Sequence, residues 1–139
     1  MEKLALKLLP GELAVWKVLP GAQMPSSPLK KSAFWSLTRT GDETSVVSDV
    51  EMVPPETLSQ AGWRCFSVIG PLDFSLTGIL ASLSAVLAEA EIPIFVISTF
   101  DTDHILVKEN QVSKTIKVLT KAGHKIKFGA PVPSAPLSL

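Results

Sequence analysis

The chain has 139 residues, 46% of them apolar and 19% charged, which suits one compact domain or two small, closely packed halves and excludes general disorder. Thirteen basic and thirteen acidic residues cancel to a formal net charge of zero, so no basic field exists to hold nucleic acid or an anionic membrane surface. No apolar run approaches the ~20 residues of a membrane span, and the single cysteine, Cys65, excludes an internal disulfide and a zinc site built on cysteine pairs.

The first residues, MEKLALKLLP, lack the long apolar stretch and small-residue cleavage site of a signal peptide. With one cysteine, this points to a reducing, cytoplasmic compartment. Leu4, Leu6 and Leu8 alternate with Ala5 and Lys7, Pro10-Gly11 follows, and Leu13 to Leu19 reads as a second strand, so a hairpin is expected here. The segment 20–32 is rich in Pro and Ser and reads as loop. Phe34 to Thr38 and Thr44 to Val47 are strand candidates around the turn residues Thr40-Gly41-Asp42-Glu43. Asp49 to Gln60, with Pro54-Pro55, reads as a connector.

The second half is more regular. Trp63 to Ile69 reads as a strand. From Gly78 to Ala90, residues Ile79, Leu80, Leu83, Val86, Leu87 and Ala90 share one helical face. Ile92 to Thr99 and His104 to Lys108 are strands joined by the turn Asp101-Thr102-Asp103. Asn110 is the expected N-cap of a second helix, with Val112, Ile116 and Leu119 as its buried stripe and Gly123 closing it. His124 to Phe128 is a last strand, and the tail from 130 to 139 is expected to be disordered. This β-α-β-β-α-β order predicts an α+β, ferredoxin-like unit with two helices on one face of an antiparallel sheet. The central strand Ile92 to Ile97 is apolar on both faces, so something is expected to cover the second sheet face, either the first half or another subunit.

The stretch STFDTDHILV, Ser98 to Val107, puts two carboxylates and a histidine between apolar runs. It can be read as a metal site, a hairpin turn or the rim of a ligand pocket. A metal needs three or more convergent ligands, and His124 is the only other histidine. Asp101 suits a turn that its carboxylate fastens. Asp103 leads into an apolar strand and could pair with a ligand ammonium or guanidinium group, with Ser98, Thr99 and Thr102 orienting the ligand. Gly78 at the helix start could relieve crowding, or could let a carboxylate approach the free N–H groups there. Thr44 and Ser45 are the first half's candidates, set against an ordinary edge strand. Asp73 reads as a helix cap. Catalysis has little support. Cys65 sits mid-strand without a neighbour that would lower its pKa, no phosphate-binding glycine loop is present, and Ser82 and Ser84 have no base beside them.

Two motifs in order, GPLDFSLTGILA and ISTFDTDHILV, resemble the ACT domains of the amino-acid-sensing group that includes the CASTOR arginine sensors, and more closely its small tandem ACT proteins. LKLLPGELAVWKV and SLTRTGDETSVVS extend the resemblance over roughly residues 4 to 128. The chain departs from the commoner ACT signature, because Thr77 stands where a proline is usual.

The resemblance implies a ferredoxin-like ACT domain over 61–129, a degenerate, mainly β, ACT-like half over 1–60 packed against it, and a homodimer. It also implies an amino acid or similar small molecule held between ACT units, changing their packing and so a regulated partner protein, with no enzyme activity, metal or cofactor. The expected ligand-binding residues are Thr44, Ser45, Thr77, Gly78, Ile79, Ser98, Thr99, Phe100, Thr102 and Asp103. The alternative is a dimerisation or interaction module with the same fold and no ligand.

Overall fold

A computed structural model describes residues 3–22, 33–70 and 78–129. Thr77 of the expected site, the expected helix cap Asp73 and the expected disordered tail lie outside the described residues. The chain divides into two compact units. One comprises the residues up to Leu9 together with Arg64–Gly129, and the other comprises Pro10–Trp63.

The first unit contains β1 (Ala5–Leu8), the second half of β5 (Ser59–Val68), α1 (Ile79–Glu89), β6 (Ile94–Ser98), β7 (Asp103–Lys108), α2 (Val112–Lys121) and β8 (Lys125–Phe128). The β-α-β-β-α-β order and the α+β class expected from the sequence are observed, with β1 inserted between β5 and β8. β1 runs antiparallel to β5, with Leu6 opposite Val68, and parallel to β8, with Leu6 opposite Ile126. β6 and β7 form an antiparallel hairpin in which Ile97 faces His104 and Ser98 faces Asp103. β7 also pairs with β5.

Alternation along these strands builds the core. Leu6, Leu8, Phe66, Val68, Ile105 and Val107 point to one sheet face and pack with Ile79, Leu83 and Leu87 of α1 and Leu119 of α2. The stripe expected for α1 is observed, with Leu80, Val86 and Ala90 at its half-buried margins. In α2 the buried positions are Thr115 and Leu119, flanked by Val112 and Ile116. Thr115 is tolerated inside because its hydroxyl donates to the Gln111 carbonyl at 2.7 Å.

Both helices end alike. The His124 amide donates to Leu119 O at 3.0 Å and the Gly123 amide to Thr120 O at 2.9 Å, with Gly123 at φ +100°. At α1 the Ile92 and Glu91 amides make the same bonds to Leu87 O and Ala88 O, but the left-handed residue there is Glu91, at φ +61°. Asn110 does not cap α2. It sits inside a single 3-10 turn, Glu109–Gln111, that leads into the helix.

The second unit contains β2 (Leu13–Lys17), β3 (Ser36–Arg39), β4 (Thr44–Asp49) and the first half of β5, in the order β3-β4-β2-β5. Ala14, Trp16 and Val46 form its small core. The Trp16 indole donates to the hydroxyl of fully buried Ser48 at 2.9 Å, and Ser48 donates onward to Asp49 O at 3.1 Å. The expected opening hairpin does not form. β1 pairs with β5 and β8, and β2 pairs with β4 and β5. Strand alternation specifies a buried face, not which neighbour a strand takes.

The expectation of a central strand at Ile94–Ile97 is also corrected. Among the described residues β6 pairs with β7 alone and forms an edge. An apolar run reports burial of two faces, not the number of strand neighbours. Ile94, Phe95, Val96 and Ile97 are all half-buried, while Cys65 and Leu106, on the face away from the helices, are fully covered.

Candidate functional site

The turn between β6 and β7 is built by Thr99. Its amide donates to Thr102 O at 2.8 Å and its hydroxyl donates to the same carbonyl at 3.0 Å. Asp101, expected to fasten the turn, is exposed at the tip, and threonine does that work through its hydroxyl. The Thr102 hydroxyl donates to Val68 O at 2.7 Å and ties the hairpin to the end of β5.

Behind the turn lies a chain of polar side chains. Ser67 Oγ is 2.7 Å from His104 Nδ1, Thr99 Oγ1 is 3.3 Å from His104 Nε2, and Cys65 Sγ is 3.7 Å from Ser67 Oγ. Its direction follows from proton counting. Thr99 commits its only hydrogen to Thr102 O, so its oxygen accepts from His104 Nε2–H. His104 Nδ1 is then an acceptor and receives the Ser67 hydroxyl proton. The imidazole is held neutral in one tautomer, and burial pushes its pKa below the ordinary value against the pull of Asp103. Burial pushes the Cys65 thiol up to about 12.

This arrangement positions rather than activates. A Ser–His pair suggests a nucleophile and its base, but the group bound at the far ring nitrogen is a threonine hydroxyl, which cannot stabilise an imidazolium as a carboxylate does. A thiol held so far above neutrality is no nucleophile.

Of the sequence-expected residues, Ser98, Thr99, Thr102 and Asp103 come together here. Ser98 Oγ donates to Asp103 Oδ1 at 2.6 Å, which fixes the carboxylate at the turn's edge and commits one of its oxygens. Thr99 and Thr102, expected to orient a ligand, spend their hydroxyls on the turn itself. Phe100 is 83% exposed at the tip. Gly78 and Ile79 begin α1 in the same unit. Gly78 has φ +79°, among the described residues no side chain caps this helix start, and the Ser82 amide and hydroxyl both donate to the Gly78 carbonyl. Ile79 is buried in the core. Thr44 and Ser45 belong to the other unit, at the start of β4. Ser67 and His104 were missed as site residues. Ser67 carries a weak signal, a hydroxyl in strand alternation with Cys65 in WRCFSV. Its bond to His104, 37 positions away, leaves no local trace.

Among the described residues no three His, Cys, Asp or Glu side chains converge as metal ligands, and no helix is long and apolar enough to cross a membrane.

The fold and the site together define a ferredoxin-like unit whose polar groups gather at a strand-turn-strand. Residues 58–121 match the family described as ACT domain. A solved Agrobacterium tumefaciens protein is 35% identical, superposes with a TM-score of 0.84, and the match covers 94% of this chain and 96% of that one. The human cytosolic arginine sensor for mTORC1 subunit 1 is 35% identical over 111 residues, 73% of this chain and 34% of the relative. The chain thus spans about a third of the length of the curated relatives it matches. The regulatory subunit of aspartate kinase from Thermus thermophilus, 11% identical, shares the fold with a TM-score of 0.57 over 85% of this chain and 96% of that one. The chain belongs to the ACT-domain family and is related to the cytosolic arginine sensors.

Proposed function

We propose that this is a non-enzymatic, cytoplasmic regulatory protein that binds an amino acid at the β6–β7 turn. The observation that carries the reading is Asp103. Its carboxylate is oriented by Ser98 at 2.6 Å, stands half-buried beside an exposed Phe100, and keeps one oxygen for a ligand's ammonium or guanidinium group. Gly78 and Ile79 offer the amides of the α1 start to the ligand's carboxylate. Thr99, Phe100 and Thr102 shape the rim, and Thr77 belongs to the proposed set by its place before Gly78 in the sequence. The relatives' name, cytosolic arginine sensor, supports both the ligand class and the compartment.

The chain acts as a homodimer in this reading. The ligand lies against an ACT unit of a second copy, shifts the packing of the pair, and so alters a regulated partner protein. Catalysis has no part in it, and neither does a metal or cofactor.

The test is a thermal-shift scan of the twenty amino acids on the wild type and on Asp103→Ala. At least one amino acid raises the wild-type midpoint, and the variant loses that response. A flat scan in the wild type removes the reading. It would favour a ligand-free dimerisation module instead, a role suited to the uncharged edge strand β6 with its half-buried Ile94–Ile97.

A further inference from the structure

The second unit carries a cleft of about 480 Å³, a size that suits a small-molecule ligand. It lies between the end of β2 with the residues that follow it, the β3–β4 turn, and Leu58. Four charged residues line it: Lys17, Arg39, Asp42 and Glu43. None of the four forms an ion pair with another, although both signs border one cleft. The exposed apolar side chains Leu19 and Leu58 line the same space.

The walls are fastened without these side chains. Thr40 Oγ1 accepts from the Asp42 and Glu43 amides at 3.1 Å each, and the Thr40 amide donates to Glu43 O at 2.8 Å, which fixes the turn carrying both carboxylates. The Lys17 amide donates to Leu58 O at 3.1 Å, the Val18 amide to Thr44 O at 2.9 Å and the Ala22 amide to Leu19 O at 3.0 Å. These bonds hold the walls through the backbone and the Thr40 hydroxyl, which leaves the charged groups and the apolar surface for a ligand.

We infer that this cleft is a second small-molecule site, for a free amino acid with an apolar side chain. Arg39 and Lys17 receive the carboxylate, Asp42 and Glu43 the ammonium, and Leu19 and Leu58 the side chain. The site belongs to the second unit, the Asp103 turn to the first, and it does not depend on the function proposed for that turn.

Backbone amide NMR tests it, with alanine, valine, leucine, isoleucine and methionine as probes, and N-acetyl-leucine and isoamylamine as probes that each keep one charge. The expected result is that at least one free amino acid shifts the amides of 17–22 and 39–44 at millimolar concentration while the two single-charge probes do not. Arg39→Ala and Glu43→Gln, both at exposed positions, weaken that response about tenfold or more. Asp103→Ala leaves it unchanged. Three results would overturn the inference: no shift of these amides with any probe, equal shifts with a single-charge probe, or a response that survives Arg39→Ala and Glu43→Gln. Shifts confined to 98–104 would remove this site and keep the turn. Shifts confined to the cleft would keep this site.

Discussion

Glu91 occupies a left-handed backbone position, φ +61°, that closes α1, whereas the matching position after α2 is Gly123. A left-handed L-residue costs ~1–2 kcal/mol, and glycine returns ~0.4–1 kcal/mol of that through the unfolded chain. Glu91→Gly therefore stabilises the protein by ~0.5–1 kcal/mol, read as a higher urea midpoint. At Gly78 no atom of the described residues lies within 4 Å of an added Cβ, so against them Gly78→Ala carries only the backbone penalty. Cys65 sets a chemical test at the same scale. Its buried thiol, pushed up to about 12, stays unmodified by a thiol reagent at pH 8 in the native protein and reacts at once in denaturant. Rapid native labelling would mean that this strand opens. Little of this residue-level detail is legible in the sequence. Glutamate gives no signal for a left-handed turn, and Thr99 displaces Asp101 as the turn's fastener because a hydroxyl can donate to a carbonyl where a carboxylate cannot.

Elements were easier to read than their neighbours. The helix over 79–89 and the hairpin of β6 and β7 follow from 3.6-residue and two-residue periods that survive into the fold. The pairing of β1 does not, because LALKL presents the same leucine face to any partner. Nor does the edge position of β6. The buried Trp16–Ser48 bond lies between β2 and β4, 32 positions apart, and was equally hidden. It yields a prediction: Ser48→Ala leaves the indole N–H without its acceptor in a sealed core and costs ~1–3 kcal/mol in urea unfolding. In the first unit, Leu83→Ala opens a cavity beneath α1 and costs ~2–5 kcal/mol.

For the whole molecule, pH is the informative variable. Both histidines are held neutral in the fold. Burial lowers the pKa of His104, and burial with the charge of Lys3 lowers that of His124. His124 Nδ1 also accepts the Leu4 amide at 3.1 Å, a bond its protonation would break. A group whose folded pKa lies below its unfolded value binds more protons when unfolded. Its contribution is complete above ~6.5 and is lost as pH falls below that value. The urea midpoint should be flat from pH 8 to 7 and fall towards pH 5.5. His124→Asn, whose amide oxygen can still accept from Leu4, should flatten that decline. An unchanged slope would place the loss elsewhere. The ACT fold was legible at this scale because two long motifs sit in order, while the identity of the proposed ligand would rest on a few side chains at one turn.

The most direct measurement is equilibrium dialysis of the protein against a mixture of all twenty amino acids, with the retained pool quantified for the wild type and for Asp103→Asn. The wild type should retain at least one amino acid that the variant does not. Identical pools from the two proteins, or no retention by either, would contradict binding at Asp103.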